Sequence, residues 1–217
     1  KPVLYGTWAA KFSKTSIVIN LLAGLTEKFH KIEWISSLIR TLINLTYRLG
    51  YWGVNVFTVF QNSTDMNIFL KCGIAKKENV GLVRGSGVDT SRFHFSPEPV
   101  GIPIVVLASR LIWEKGIREF VEASKILKAK GVKCRMVLVG DCDPDSTGPV
   151  PESFIKQQCS EGFIEWWGHR DDMPGVFAKS HIACLPSYHE GTPRVLLEAA
   201  SSGRPIVTTV VPGCRQI

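Results

Sequence analysis

None of the six cysteines (Cys72, Cys134, Cys142, Cys159, Cys184, Cys214) falls in a Cys-x-x-Cys spacing, which removes zinc ribbons and dithiol redox motifs from consideration. Several lie inside apolar patterns, as buried free thiols do, and this suits a reducing, cytoplasmic setting. No run is apolar over the roughly 20 residues that a bilayer span needs, and no signal-peptide pattern is visible. Internal repeats and low-complexity segments are absent. Gly85-x-Gly87 lacks the third glycine and the long apolar helix of a dinucleotide fingerprint. There is no basic-aromatic recognition motif or zinc pattern to support the nucleic-acid partner that a basic chain suggests.

The 217 residues carry a net charge of +7 with 45% apolar content, an ordinary globular composition. Up to Gly50 the cations are Lys1, Lys11, Lys14, Lys28, Lys31, Arg40 and Arg48, against Glu27 and Glu33, so +5 of the charge is N-terminal. Beside Trp34, Ile35, Leu38, Ile39, Leu42 and Ile43, that basic face suits an anionic membrane surface. The same spacing also describes a helix packed on a core.

Strand and helix patterns alternate along the chain, which predicts α/β layers. Helices are expected over Lys1–Ser13, Glu33–Leu49, Thr64–Cys72, Ile117–Lys130, Glu152–Cys159, Met173–Ala178 and Thr192–Ser202. Strands are expected over Ser16–Leu22, Val54–Phe60, Val80–Val83, Ile104–Ser109, Arg135–Val139, Phe163–Glu165, Ile182–Leu185 and Ile206–Thr209. Ser96-Pro-Glu-Pro99 and Pro103 read as a linker, so the boundary between two domains, 1–98 and 99–217, is placed near Glu98.

The most informative stretch is Glu190-Gly-Thr-Pro-Arg-Val-Leu-Leu-Glu198. Thr192 suits an N-cap and Pro193 a first helical position, while Gly203 and Pro205 close the helix. The N–H groups of Arg194 and Val195 then face a phosphate-sized ligand from a positive dipole end. Glu198 lies roughly 9 Å farther along the axis, so a diphosphate at the tip would have one glutamate near each end of a nucleotide sugar. A capped surface helix with two solvated acids is the plain alternative. Arg110 follows the buried run Ile104–Ser109, and Lys115-Gly116 comes just before the next helix. Ligands of open α/β sheets bind at such strand ends, which places two cations where a pyrophosphate could lie. Gly140 ends another strand, where backbone and ligand could approach closely.

Ser109-Arg-Leu-Ile-Trp-Glu-Lys115-Gly116, Leu185-Pro-Ser-Tyr-His-Glu190-Gly191-Thr192-Pro193-Arg194-Val195-Leu-Leu-Glu198-Ala199, Gly203-Arg-Pro-Ile-Val-Thr-Thr209 and Val211-Pro-Gly-Cys-Arg215 together resemble glycosyltransferase family 4. They are most similar to the branch that builds surface polysaccharides on undecaprenyl-diphosphate lipids, as is Gly85-Ser-Gly-Val-Asp89. The resemblance implies a GT-B fold, with part of an acceptor-side Rossmann-like domain followed by most of a donor Rossmann-like domain. Further family segments would lie before Lys1 and after Ile217, making this an internal fragment. It also implies a retaining transferase that uses a nucleotide sugar, a UDP-sugar for this branch, and a lipid-linked saccharide acceptor. The protein would work peripherally at the inner membrane face, with no cofactor or metal. Arg110 and Lys115 would neutralise the donor diphosphate, Glu190 would hold donor-sugar hydroxyls, and Glu198 the ribose diol. Gly191, Thr192, Arg194, Val195 and Gly140 would complete the donor site, and His169-Arg170 matches a segment beside the nucleobase.

Asp141-Cys-Asp143 and Asp143-Pro-Asp145 fit the Asp-x-Asp pattern of metal-dependent transferases, but a solvated loop is the expectation here. Many relatives have Gly-Phe-Gly where this chain has Gly191-Thr192-Pro193, and a His or Thr where it has Leu21-Leu22-Ala23-Gly24. Other readings remain: a second GT-B chemistry, such as a sugar-phosphate synthase or nucleotide-sugar epimerase, or a catalytically silent nucleotide-sugar-binding subunit.

Overall fold

The β-branched runs become parallel strands, and the amphipathic stretches between them become helices. A computed structural model describes residues 2–22 and 37–217, with the side chains of 37–40 left aside. The chain divides into two compact units, Lys1–Ser86 and Gly87–Arg215.

The first unit contains α1 (Pro2–Phe12), β1 (Ile17–Leu22), α2 (Ser37–Tyr51), β2 (Asn55–Phe60), α3 (Ser63–Lys71) and β3 (Val80–Leu82). Its strands form a parallel sheet in the order β1-β2-β3. Leu22, Tyr47, Phe60, Phe69 and Ile74 make its core, with the Tyr47 and Phe60 rings edge-on to Phe69. Asn62 caps α3 by accepting from the Asp65 N–H at 2.8 Å. The helix α2 runs two residues past the expected Leu49, and at Gly50 it lies against the Trp8 ring, where an added Cβ would be 3.2 Å from Nε1. Lys1, Ala23, Gly24, Lys28, Lys31 and the expected helical turn holding Trp34 and Ile35 lie outside the described residues.

The second unit contains β4 (Ile104–Ala108), α4 (Ile117–Ala129), β5 (Arg135–Val139), α5 (Glu152–Ser160), β6 (Glu165–Trp166), α6 (Met173–Ala178), β7 (Ile182–Leu185), α7 (Arg194–Ser201) and β8 (Ile206–Thr208). All five strands are parallel, in the order β6-β5-β4-β7-β8. Alternate residues of each strand face opposite sides. Ile104, Val106, Val137 and Val139 enter a core with Phe93, Val176, Phe177 and Ala199, whereas Leu107, Met136 and Leu138 join Leu111, Ile117, Phe120, Val121 and Ile155. Both faces of the sheet are thus covered, as a parallel sheet requires. Strand β6 starts at Glu165 rather than Phe163, because the Phe163 N–H closes the end of α5 on the Gln158 carbonyl at 3.1 Å.

This unit begins at Gly87, ahead of the Glu98 boundary that the prolines suggest. Phe93 is buried in its core and Val88 packs against it. Ser201 Oγ donates to the Phe93 carbonyl, and the Arg204 guanidinium donates to the Ser96 carbonyl. Arg204, 3% exposed, also donates to the Ser180 carbonyl at 3.0 Å and the Ser202 carbonyl at 3.2 Å. The residues ahead of Glu98 are therefore anchored to the second unit.

Candidate active site

From β4 the chain moves outward through β5 and β6, then returns to the other side of β4 as β7. Such a reversal opens a crevice at the carboxyl ends of the strands. A cleft of about 570 Å³ lies there, lined by Ala108, Ser109 and Arg110 after β4, and by Val139, Gly140, Asp141 and Asp143 after β5. His169, Arg170 and Met173 line it after β6, and Arg194, Val195 and Glu198 from α7.

Gly140 makes the floor possible. Its φ is +132°, and a Cβ there would meet the Ser109 carbonyl oxygen at 1.9 Å. The close approach that requires glycine is thus first of all between the ends of β4 and β5. Gly140 N–H donates to the Gly168 carbonyl at 2.9 Å and its own carbonyl accepts from Trp166 Nε1 at 2.8 Å, which holds the Gly168-His169-Arg170 turn beside it. His169 lies between carboxylates, with Nε2 3.2 Å from Asp171 and Nδ1 3.6 Å from Asp141.

The start of α7 differs from expectation. Pro193 is extended (φ −72°, ψ 111°) and occupies the cap position, and no side chain caps the helix. Thr192 is therefore not the N-cap; its Oγ1 is buried without a hydrogen-bond partner. The extended ψ of Pro193 keeps it out of the first helical position, so the helix starts one residue later, at Arg194. The N–H groups of Arg194 and Val195 sit at the first two helical positions, which have no intrahelical acceptor. At the other end Gly203 is left-handed (φ +79°), its N–H donates to Ala200, and the Arg204 N–H to Ala199, which closes the helix as expected. Glu198 faces the cleft with its side chain 13% exposed, and Arg194 Nη2 approaches it at 3.4 Å.

Lys115 and Glu190 are placed together but not on the cleft wall. Their side chains form an ion pair of 2.5 Å, 18% and 10% exposed respectively. A turn at Trp113–Lys115 ends in left-handed Gly116, where a Cβ would lie 2.2 Å from the Pro186 carbonyl oxygen. The Glu114 carbonyl accepts from the Tyr188 N–H at 2.9 Å and from Ser187 Oγ at 3.1 Å. Beneath Glu190 and Gly191, Gly213 leaves no room for a side chain; a Cβ would be 2.1 Å from the Gly191 oxygen. Cys214 adjoins the pair. Burial pushes its thiol above the ordinary range, and Glu190 adds to that while Lys115 opposes it. Burial also raises the Cys184 thiol, to about 11.

Of the residues expected in the donor site, Arg110, Gly140, Arg170, Arg194, Val195 and Glu198 share the cleft. Lys115 and Glu190 form the neighbouring pair, while Gly191 and Thr192 lie in the loop between that pair and α7. Ser109, Asp141, Asp143, His169 and Met173 line the cleft as well. The two aspartates lie in the expected exposed loop after β5, and from there they line the cleft. His181, by contrast, is structural: its Nδ1 accepts the Ile104 N–H at 2.9 Å in the interior. Among the described residues, no group of three His, Cys, Asp or Glu side chains is gathered as a metal site.

A profile of the glycosyl transferases group 1 family matches residues 102–217. The chain is 27% identical, over 97% of its length and 57% of the relative's, to the N,N'-diacetylbacillosaminyl-diphospho-undecaprenol alpha-1,3-N-acetylgalactosaminyltransferase of Campylobacter jejuni. It is 25% identical to the capsular polysaccharide biosynthesis glycosyltransferase CapM of Staphylococcus aureus, over 98% of this chain and 57% of that protein. The chain thus spans little more than half the length of these relatives. Among solved structures, HepE of Anabaena in complex with UDP and glucose superposes with a TM-score of 0.72 at 17% identity, covering 99% of this chain and 58% of that one. WaaG, a glycosyltransferase involved in lipopolysaccharide biosynthesis, gives 0.69 at 16% identity, covering 98% and 65%. The parallel sheets and these superpositions make the fold GT-B. With more than half of its residues inside the family profile, this chain belongs to the group 1 glycosyl transferases.

Proposed function

We propose that the protein transfers a sugar, with retention of anomeric configuration, from a UDP-sugar to a lipid-linked saccharide in polysaccharide or glycan biosynthesis. The observation that carries this reading is the convergence of Arg110, Arg170, Arg194, two unpaired helical N–H groups and Glu198 on one cleft at the sheet's switch point. The guanidinium groups and the α7 tip suit a diphosphate, and a carboxylate set back along the helix suits a ribose diol. HepE, which shares the fold, was crystallised with UDP and glucose. The Campylobacter jejuni relative takes its name from an undecaprenol-diphosphate acceptor.

In this reading Arg110 and Lys115 stabilise the negative charge that grows on the leaving UDP as the glycosidic bond breaks, a preorganised electrostatic effect. Glu190 holds the donor sugar, and the base lies toward His169 and Arg170. The cationic side chains supply the countercharge, and the reaction runs without a metal.

A lipid-linked acceptor requires access to a membrane surface, and the first unit supports that. Leu42, Leu45, Leu49 and Trp52 are exposed in a row along and just beyond α2, with Phe12 and Tyr5 exposed on α1. Lys11 lies over the Trp8 and Trp52 rings. Apolar side chains beside cations are what an anionic interface attracts. No described helix is long and apolar enough to cross a membrane.

The test is turnover of UDP-sugars by the protein on a polyprenyl-diphosphate-linked acceptor, with the product anomer read by NMR and EDTA as a control. An α-linked product from an α-linked donor, unaffected by EDTA, is expected. An inverted product or loss of activity in EDTA contradicts the mechanism. Binding of the donor without turnover on any acceptor would favour a silent binding subunit.

A further inference from the structure

We infer that Glu190 sets the selectivity of the site between a nucleotide sugar and the free nucleoside diphosphate, by competing with the diphosphate for Lys115. The inference rests on the reading of the cleft as a nucleotide-sugar site. Its starting point is that Lys115 and Glu190, which are not among the residues lining the cleft, neutralise one another at 2.5 Å and are largely buried.

The two loops that carry the pair are fixed to each other through the Glu114 carbonyl, the Gly116–Pro186 packing and the Gly213 seat. Exchange of partners must therefore occur by rotation of the Lys115 side chain, with its four-carbon stem, rather than by movement of either loop. A buried ion pair is costly to break when one member is left without a partner. A free nucleoside diphosphate that recruits Lys115 leaves Glu190 in that position, unpaired and close to added negative charge. A nucleotide sugar recruits Lys115 as well, but its sugar hydroxyls donate to Glu190. Only the sugar-bearing ligand compensates both members of the pair.

The same exchange has a consequence after transfer. Once the sugar has left, Glu190 loses its hydroxyl partners and Lys115 is again its best partner, so the pair closes and UDP is released. Glu190 thereby disfavours product as well as holding substrate, and the ligand-free site is kept electrically balanced.

Calorimetric titration with UDP of the wild type, Glu190→Gln, Lys115→Met and the double variant tests this as a cycle. Glu190→Gln should bind UDP about threefold tighter or more, because Lys115 is no longer held. In the Lys115→Met background the same change should have no effect on UDP. An equal gain in both backgrounds would mean that Glu190 merely repels the diphosphate through space, and no gain in either would overturn the exchange outright. Glu190→Asp keeps the charge and shortens the reach, so it guards against a variant that fails to fold; it too should tighten UDP binding. Unchanged or weaker UDP binding by folded Glu190→Asp counts against the inference. Absence of UDP binding by the folded wild type would instead remove the nucleotide-sugar reading itself, and the inference with it.

Discussion

Within this chain, the two units differ in how far their parallel sheets are covered. In Gly87–Arg215 both faces of the sheet are buried under helices, and its functional groups are gathered at one end. In Lys1–Ser86 the strand β1 leaves Ile17, Ile19 and Leu21 more than 60% exposed, as are Leu42 on α2 and Trp52 just after it. Charge divides the same way. Residues 1–86 hold eleven Lys and Arg against four Asp and Glu, and residues 87–217 hold fifteen of each, so the whole net charge of +7 belongs to the first unit. A neutral unit can hold a charged ligand in a defined cleft, whereas a basic unit favours an anionic surface. This contrast underlies the proposal of donor binding by one unit and membrane contact by the other.

The sharpest way to break the comparison is through backbone conformation. Gly140→Ala forces a Cβ onto the Ser109 carbonyl at a φ of +132°. It should cost on the order of 3 kcal/mol or more and abolish nucleotide binding. Gly53→Ala in the first unit, at a φ of +75° with open space around it, should cost about 1 kcal/mol. Urea unfolding of the two variants measures the difference; equal costs would mean that the β4–β5 junction is not the rigid floor described.

The membrane assignment is sharpened by replacing Leu42, Leu45 and Leu49 together with serine. These side chains are exposed, so folding stability should change little, within about 0.5 kcal/mol per site. Partitioning onto vesicles containing phosphatidylserine should fall by roughly tenfold or more, given about 1.5–3 kcal/mol for each fully buried leucine. Unaltered sedimentation with vesicles would leave the row without a role at the membrane.

Much of the second unit was legible in the sequence, because its elements carry local signals. Ile104–Ala108 is a short β-branched run, Arg135–Val139 a short apolar one, and Gly203 with Pro205 marks the end of α7. The carbonyl-filled interior around Arg204 was not legible, since an arginine after a helix reads as a surface charge until Ser96, Ser180 and Ser202 surround it. The same limitation hid the start of the unit at Gly87. The Lys115–Glu190 pair was missed for a related reason. Residue type and spacing assigned each charge to a ligand, but only the Glu114–Tyr188 and Gly116–Pro186 contacts reveal that the two loops meet.

The smallest expected effect lies at the sheet edge. Arg135 donates twice to Glu165, at 2.6 and 2.7 Å, and this holds the Glu165 carboxyl below its ordinary value of 4.5. A carboxylate with a depressed folded-state pKa stabilises the fold above 4.5, and the contribution disappears as pH falls through the folded value. Glu165→Gln should therefore lower stability at pH 7 by about 0.2–1 kcal/mol, the range for exposed pairs. Near pH 3 the two proteins should melt closer together, and a gap that widens on acidification would reverse the assignment.

The central claim, that the cleft of the second unit seats a nucleoside diphosphate with Glu198 on the ribose, is tested most directly by one calorimetric comparison. Wild type and Glu198→Gln are titrated with UDP and with inorganic pyrophosphate. The account predicts saturable UDP binding that is weakened severalfold by the substitution, consistent with loss of a charge-assisted hydrogen bond, while pyrophosphate binding is nearly unchanged. Equal losses for both ligands, or no UDP binding by the folded protein, would contradict it.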